Sequence, residues 1–166
     1  VATTGGSGRF VLAAAGRPVA LVVDSADHAA VRRATRDLSA DLERVTGTAA
    51  PILNGLAALS GDVVIIGTVG RSPLVDRLVR NRKLDVSALE GRWETFRIQT
   101  VERPLPGVAR ALVIAGSDRR GTVYGIYDLS AEIGVTPWYW WADVPVQRRS
   151  DLYVLPGVHT KGEPKV

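Results

Sequence analysis

The sequence contains no cysteine and no long apolar run. The lack of cysteine excludes disulfide bonds, zinc fingers and thiol catalysis, and it leaves the redox compartment undetermined. No apolar stretch approaches the ~20 residues of a membrane helix, and the first residues lack the order of a signal peptide. Repeats and low-complexity tracts are also missing. These absences favour a globular domain with a single core.

The sequence also lacks a dense cluster of basic residues and any spacing of histidines or carboxylates that is typical of a catalytic site. The net charge is +4, with 18 arginines and three lysines, which falls short of the dense basic stripe of a nucleic-acid binder. His28 and His159 have no histidine near them in the sequence, and no pair of carboxylates has a spacing that defines a catalytic pair. We therefore expect no catalytic residue, metal or cofactor in this chain, and no nucleic-acid or membrane partner.

Strand patterns run along the whole chain. Apolar runs at residues 19–23 and 63–66 are typical of strands buried on both faces, whereas residues 93–101 alternate like a strand with one wet face. Shorter strands are predicted at residues 10–12, 52–53, 112–114 and 152–155.

Helical patterns separate these strands. Apolar side chains recur at helical spacing over residues 31–45, Ser72 and Pro73 are a cap and first-turn pair, and a third helix is predicted over residues 119–133. The order predicts an α/β fold with a mixed β-sheet covered by helices. We expect one domain over residues 1–158 and a polar linker over residues 159–166.

Most of the large aromatic side chains lie in one segment, residues 116–145, which reads GSDRRGTVYGIYDLSAEIGVTPWYWWADVP. Pro137 is followed by four consecutive aromatic residues, Trp138, Tyr139, Trp140 and Trp141, and Asp143 comes two positions after the last of them. In an extended segment alternate side chains face opposite ways. The rings on one side are therefore expected to contact another domain or a ligand. We call residues 137–145 the aromatic strap. It is interpreted as an interface or, alternatively, as a carbohydrate platform.

The start of the third predicted helix carries the motif Ser117, Asp118, Arg119 and Arg120. Unpaired N–H groups at such a position hold either a capping side chain or an external anion. The motif lacks the residues of a P-loop, so capping is favoured over contact with a substrate or a neighbouring domain.

Gly121 and Gly125 lie one turn apart on this helix. Each glycine costs up to about 1 kcal/mol of helix stability relative to alanine, so a compensating close contact is expected. The partner is either the sheet of this domain or another domain.

These residues resemble glycoside hydrolase family 115, the xylan α-1,2-glucuronidases. SDRRGTVYGIYDLS followed by PWYWWADVP is similar to a signature near the end of that family's N-terminal domain, and residues 23–47, VDSADHAAVRRATRDLSADLERVTG, resemble its first helix. The resemblance covers essentially the entire chain.

The resemblance implies an accessory α/β domain, similar to the non-catalytic domain that precedes the barrel in β-hexosaminidases and α-glucuronidases. The partner would be a catalytic (β/α)8 barrel of the same polypeptide, which releases glucuronic or 4-O-methyl-glucuronic acid from glucuronoxylan with inversion. Residues 118–121, Gly125, Trp138–Trp141 and Asp143 would contact that barrel or the margin of its pocket. For the whole enzyme, a secreted or periplasmic location and a homodimer are expectations.

Two other functions stay open. A carbohydrate-binding module would use the tryptophans as a sugar platform. A nucleotide- or phosphate-binding domain is disfavoured, because the glycine-rich loops of such domains are missing from the sequence.

Overall fold

The computed structural model describes residues 1–55, 59–136 and 145–162. The elements in chain order are β1 (Phe10–Ala14), β2 (Arg17–Pro18), β3 (Ala20–Val23), α1 (Ala29–Thr46), β4 (Ile52–Asn54), β5 (Gly61–Thr68), α2 (Pro73–Arg80), β6 (Phe96–Glu102), β7 (Val108–Gly116), α3 (Arg119–Glu132), β8 (Leu152–Val154) and β9 (Val158–Lys161). The predicted α/β order is confirmed.

Six strands form the main sheet in the order β4-β3-β5-β7-β6-β9. Strands β3, β4, β5 and β7 are parallel, while β6 is antiparallel to β7 and β9 is antiparallel to β6. The predicted mixed sheet is therefore confirmed. A second sheet of three strands, in the order β2-β1-β8, lies beside it and does not follow from the sequence patterns.

Helices cover both faces of the main sheet. On one face α1 and α3 pack together, and Val64 and Ile66 of β5 belong to their apolar cluster. On the other face Val63 and Ile65 pack in the cluster that contains α2. Because alternate residues of β5 are buried on opposite faces, the apolar run at residues 63–66 is a strand covered on both sides, as predicted.

The predicted helix ends are also present. Gly47 ends α1 in the left-handed conformation, with φ 90°, and its N–H donates to the carbonyl oxygen of Glu43. The Ser72 hydroxyl accepts a hydrogen bond from the Val75 N–H at 3.4 Å, and Pro73 is the first residue of α2.

Both ends of the chain pair with strands, and the predicted linker needs a correction. Residues 159–161, predicted as part of a linker, belong to β9, whose side chains are all exposed. Edge pairing uses backbone groups, so a polar segment without an apolar pattern forms a strand here. The Asp128 carboxylate stabilises it by accepting from Lys161 Nζ at 2.7 Å and lying 3.1 Å from His159 Nε2. Near the other end, Ala2 forms a β-bridge with Tyr153.

Candidate functional site at the carboxyl edge of the sheet

The carboxyl ends of β3, β5 and β7 meet at one edge of the main sheet, and α1, α2 and α3 each begin there. Strand order changes direction at this edge, since β4 lies on one side of β3 and β5 lies on the other. Open α/β sheets bind ligands in the crevice at such a switch point. This edge is therefore the candidate position for a ligand site.

Asp27 fills the crevice between β3 and β5. Its carboxylate accepts from the Thr68 N–H at 2.8 Å and the Thr68 hydroxyl at 2.9 Å, and it also accepts from the His28 N–H at 2.7 Å. Both side chains are buried, with Asp27 only 3% exposed. A ligand in this crevice would have to replace a carboxylate that already has three hydrogen-bond donors.

A second threonine extends this contact to α3. The hydroxyl oxygens of Thr68 and Thr122 lie 2.8 Å apart, and the Thr122 hydroxyl lies 2.9 Å from the Asp118 carbonyl oxygen. When the Thr68 hydroxyl donates to Asp27, the Thr122 hydroxyl has one hydrogen for two acceptors, Thr68 and Asp118. We call Asp27, Thr68, Asp118 and Thr122 the polar cluster. It joins the starts of α1 and α3 across the end of β5.

Asp118 caps α3, so the capping prediction is confirmed. Its side chain accepts from the Gly121 N–H at 2.7 Å and from the Glu94 N–H at 2.9 Å. An external anion at this helix start would meet a carboxylate instead of free N–H groups. The neighbouring Ser117 hydroxyl accepts from the Thr95 N–H at 3.1 Å, which ties the same turn to the start of β6.

Arg119 and Arg120 are both exposed. The Arg120 guanidinium pairs with the Glu94 carboxylate at 2.8 Å, donates to the Tyr124 hydroxyl at 3.0 Å and lies 5.9 Å from the Tyr124 ring centre. The hydrogen bond to Tyr124 and then the Glu94 charge raise the pKa of Arg120 above its ordinary value. Arg120 is therefore held against the surface of α3.

Gly121 and Gly125 face the sheet of this domain, which decides between their two predicted partners. A Cβ atom at Gly121 would overlap the carbonyl oxygen of Thr95. One at Gly125 would lie 2.8 Å from Ile114 Cγ2 and 3.1 Å from the Phe96 ring. The assignment of both glycines to a surface between domains is thus corrected, because β6 and β7 occupy the space beside them.

The predicted residues of the aromatic strap, Trp138–Trp141 and Asp143, lie outside the described residues. Their role at an interface or pocket margin stays a prediction.

Sequence reasoning missed the chemistry around Trp93, which it assigned only to a strand. Its side chain is 76% exposed and lines a cleft of about 350 Å³ next to the ends of β5 and β7. We call this the Trp93 cleft, lined by Val69, Leu89, Glu90, Gly91, Arg92, Trp93 and Ser117. The detectable signal was a large ring within a polar, glycine-containing stretch, Glu90 to Glu94.

Residues 1–55, 59–136 and 145–162 lack two further features. No helix among them is both long enough and apolar enough to span a bilayer. Their histidine, aspartate and glutamate side chains form no group of three or more that could hold a metal ion.

Comparison with solved structures shows a similarity to a glycoside hydrolase. A structure described as a novel family GH115 4-O-methyl-alpha-glucuronidase, BtGH115A, with specificity for decorated arabinogalactans, superimposes with a TM-score of 0.74 and 31% sequence identity. At the level of structure, the chain is similar to a domain of a family 115 glycoside hydrolase. The match covers 92% of this chain, which spans only 18% of the length of that protein.

The other comparisons add little. The structure of CpGH84D has a TM-score of 0.49 and 12% identity over 74% of this chain and 18% of its own, which is too low to support an argument. No protein-family model matches the sequence, and no curated protein matches it.

Three carboxylates at this edge of the sheet have partners within the chain. Asp27 and Asp118 each accept backbone N–H bonds at the start of a helix, and Glu94 is paired with Arg120. A general acid or base needs a proton-transfer path to a substrate. Asp27 links the residue before α1 to the end of β5, and Asp118 links the start of α3 to the loop before β6.

Proposed function

We propose that this chain belongs to glycoside hydrolase family 115 and is a non-catalytic domain that braces a catalytic (β/α)8 barrel of the same polypeptide. One observation carries the proposal. The structural similarity to a family 115 enzyme covers 92% of this chain but only 18% of that enzyme, as expected for one domain of a multidomain hydrolase. The carboxylates engaged in capping support a structural role.

The exposed side of α3 supports a contact with another domain. Tyr124 and Tyr127 are 37% and 45% exposed, and both hydroxyls are already bonded, to Arg120 and to Asp37. Tyrosine and arginine are enriched at protein interfaces, and side chains that are held before docking lose less entropy. We call Arg120, Tyr124 and Tyr127 the α3 outer face. It would contact the barrel together with the aromatic strap.

The substrate of the whole enzyme would be a polysaccharide decorated with glucuronic acid. We propose release of glucuronic or 4-O-methyl-glucuronic acid from glucuronoxylan, with inversion at the anomeric carbon. The specificity of BtGH115A for decorated arabinogalactans makes arabinogalactan the alternative main chain.

An activity assay tests this function. The 166-residue chain and the full polypeptide encoded by the same gene would be incubated separately with glucuronoxylan and with glucuronate-decorated arabinogalactan. The proposal predicts release of the uronic acid by the full polypeptide, inversion in the NMR spectrum of the product, and no release by this chain alone. Hydrolysis by the isolated chain, or a full polypeptide inactive on both substrates, would contradict it.

The second candidate function is a carbohydrate-binding module. The exposed Trp93 favours it, because an indole face can stack on a sugar ring. Titration of the chain with xylan, followed by tryptophan emission, tests this candidate. A saturable shift that is lost in Trp140→Ala would place the platform in the aromatic strap.

A further inference from the structure

We propose that the Trp93 cleft binds a sugar ring of a polysaccharide that carries uronic acid groups. The class of polysaccharide rests on the proposed function. The site itself is assigned from the residues of the cleft, and it differs from the predicted platform in the aromatic strap. The domain would then hold the polymer as well as brace the barrel.

The shape of the cleft suits a small rigid ligand. Its volume of about 350 Å³ is at the lower end of the ~300–1,000 Å³ typical of ligand pockets, which is room for one or two pyranose rings. Trp93 exposes 76% of its surface at the wall, while Leu89 is 2% exposed and belongs to the core beneath. A ring entering the cleft would therefore meet both an aromatic and an apolar side chain.

The backbone around Trp93 is held in place before any ligand arrives. The Thr95 hydroxyl donates to the Trp93 carbonyl oxygen at 2.9 Å, and the Arg92 N–H donates to the Leu89 carbonyl oxygen at 3.2 Å. The next residue, Glu94, donates its N–H to the Asp118 carboxylate at 2.9 Å. Binding to a fixed platform costs less ordering entropy than binding to a loop that must first fold.

The chemistry of the lining selects a carbohydrate. The C–H face of a pyranose is apolar and complements the electron-rich face of the Trp93 indole. Hydroxyl groups around the same ring can bond to the carboxylate of Glu90, the guanidinium of Arg92 and the hydroxyl of Ser117, which all line the cleft. Arginine pairs with carboxylates in a two-pronged geometry, so Arg92 favours an acidic sugar.

A protein partner fits this cleft less well. Glutamate is depleted at protein interfaces, whereas the exposed Glu90 lines this cleft. The surface is also concave instead of flat. The α3 outer face, which carries two exposed tyrosines, is the better surface for a protein contact.

Calorimetric titration of the 166-residue chain tests the site. The probes are a xylo-oligosaccharide that carries one 4-O-methyl-glucuronate and the same oligosaccharide without it. We expect saturable binding of the acidic probe, weakened about tenfold or more in Trp93→Ala and largely restored in Trp93→Phe, because stacking needs only a ring. Arg92→Gln should weaken the acidic probe and leave the neutral probe unchanged.

Two control variants make the result specific. Tyr127→Ala removes an exposed ring outside the cleft, and Trp140→Ala removes a residue of the aromatic strap; both variants should bind like the unchanged chain. Circular dichroism confirms that each variant is folded. Binding that survives Trp93→Ala, binding lost only in Trp140→Ala, or no saturable binding of either probe would overturn the proposal.

Association of the chain with another protein that is lost in Trp93→Ala, without sugar binding, would also overturn it. The titration measures binding by the 166-residue chain and does not depend on hydrolysis by the full polypeptide. The binding site and the proposed function can therefore fail independently.

Discussion

The polar cluster and the Trp93 cleft lie at the same edge of the sheet but differ in access. In the polar cluster, Asp27 and Thr68 are buried and their polar atoms bond to each other and to backbone groups. In the Trp93 cleft, a large ring and two charged side chains face solvent. Asp118 connects the two regions, since its carboxylate bonds to α3 and to the loop that carries Trp93.

At this edge, hydrogen bonds within the chain occupy positions where other open α/β sheets bind ligands. An N-terminal helix end attracts anions only while its N–H groups are free. At α3 the Asp118 carboxylate occupies that position, which argues against nucleotide or phosphate binding there. The Trp93 cleft opens at the same edge, next to the ends of β5 and β7.

The largest expected effect comes from opening the polar cluster. Asp27→Ala leaves the buried Thr68 N–H and hydroxyl without their acceptor, which should lower the free energy of unfolding by about 3 kcal/mol. Urea unfolding followed by circular dichroism measures it. Asp24→Ala is the matched control, because the Asp24 carboxylate accepts from the Ala26 N–H in an exposed turn, and it should cost under about 0.5 kcal/mol. Equal losses in both variants would show that the cluster contributes no special stability.

A methyl group placed between α3 and the sheet should have the next largest effect. In Gly121→Ala the new Cβ overlaps backbone of Thr95, so the helix has to move, at a cost of about 2 kcal/mol. Gly162→Ala adds the same group where a Cβ meets nothing within 4 Å, and it should be neutral. The same unfolding experiment compares them. A neutral Gly121→Ala would mean that α3 does not pack as closely as described.

Removing the Asp118 carboxylate, which connects the two regions, should have a smaller effect on stability but should also change the Trp93 cleft. Asp118→Ala removes the cap of α3, at about 1 kcal/mol, and frees the Glu94 N–H next to Trp93. We expect weaker binding of the acidic oligosaccharide and a shifted indole N–H resonance of Trp93. Asp118→Asn retains a capping side chain and should behave more like the original chain. An unchanged resonance in Asp118→Ala would show that the regions are independent.

The smallest effect concerns the α3 outer face at high pH. Partial burial and the hydrogen bond to Asp37 raise the pKa of Tyr127 from 10.0 to about 12. Since the folded pKa is higher than the unfolded one, the contribution of Tyr127 to stability is complete below pH 10 and is lost as the pH rises towards 12. Phenolate absorbance should show one late tyrosine step that disappears in Tyr127→Phe. If the late step persists in Tyr127→Phe, it belongs to another tyrosine.

Much of the fold was predictable because burial leaves a local pattern. The continuous apolar run at residues 63–66 exists because helices cover both faces of β5, and the start of α2 was readable from Ser72 and Pro73. Strand β9 was not predictable, since edge pairing through backbone groups puts no apolar requirement on residues 158–161.

The site was less predictable because its contacts are distant in sequence. Asp118 was identifiable as a cap from its position before α3, but Asp27 and Thr68 are 41 residues apart and meet only when β3 and β5 pair. The spacing of Gly121 and Gly125 predicted a close contact without naming Thr95 or Phe96 as the partner. Exposure of a single tryptophan likewise depends on the tertiary structure around it.

Hydrogen–deuterium exchange on the isolated chain and on the full polypeptide tests the bracing role most directly. The account predicts slower exchange in the full polypeptide at residues 119–127 and 137–145, and unchanged exchange at Thr68 in the polar cluster, which is already buried. Identical exchange in both proteins throughout the α3 outer face and the aromatic strap would contradict the claim that this domain docks on the rest of the enzyme.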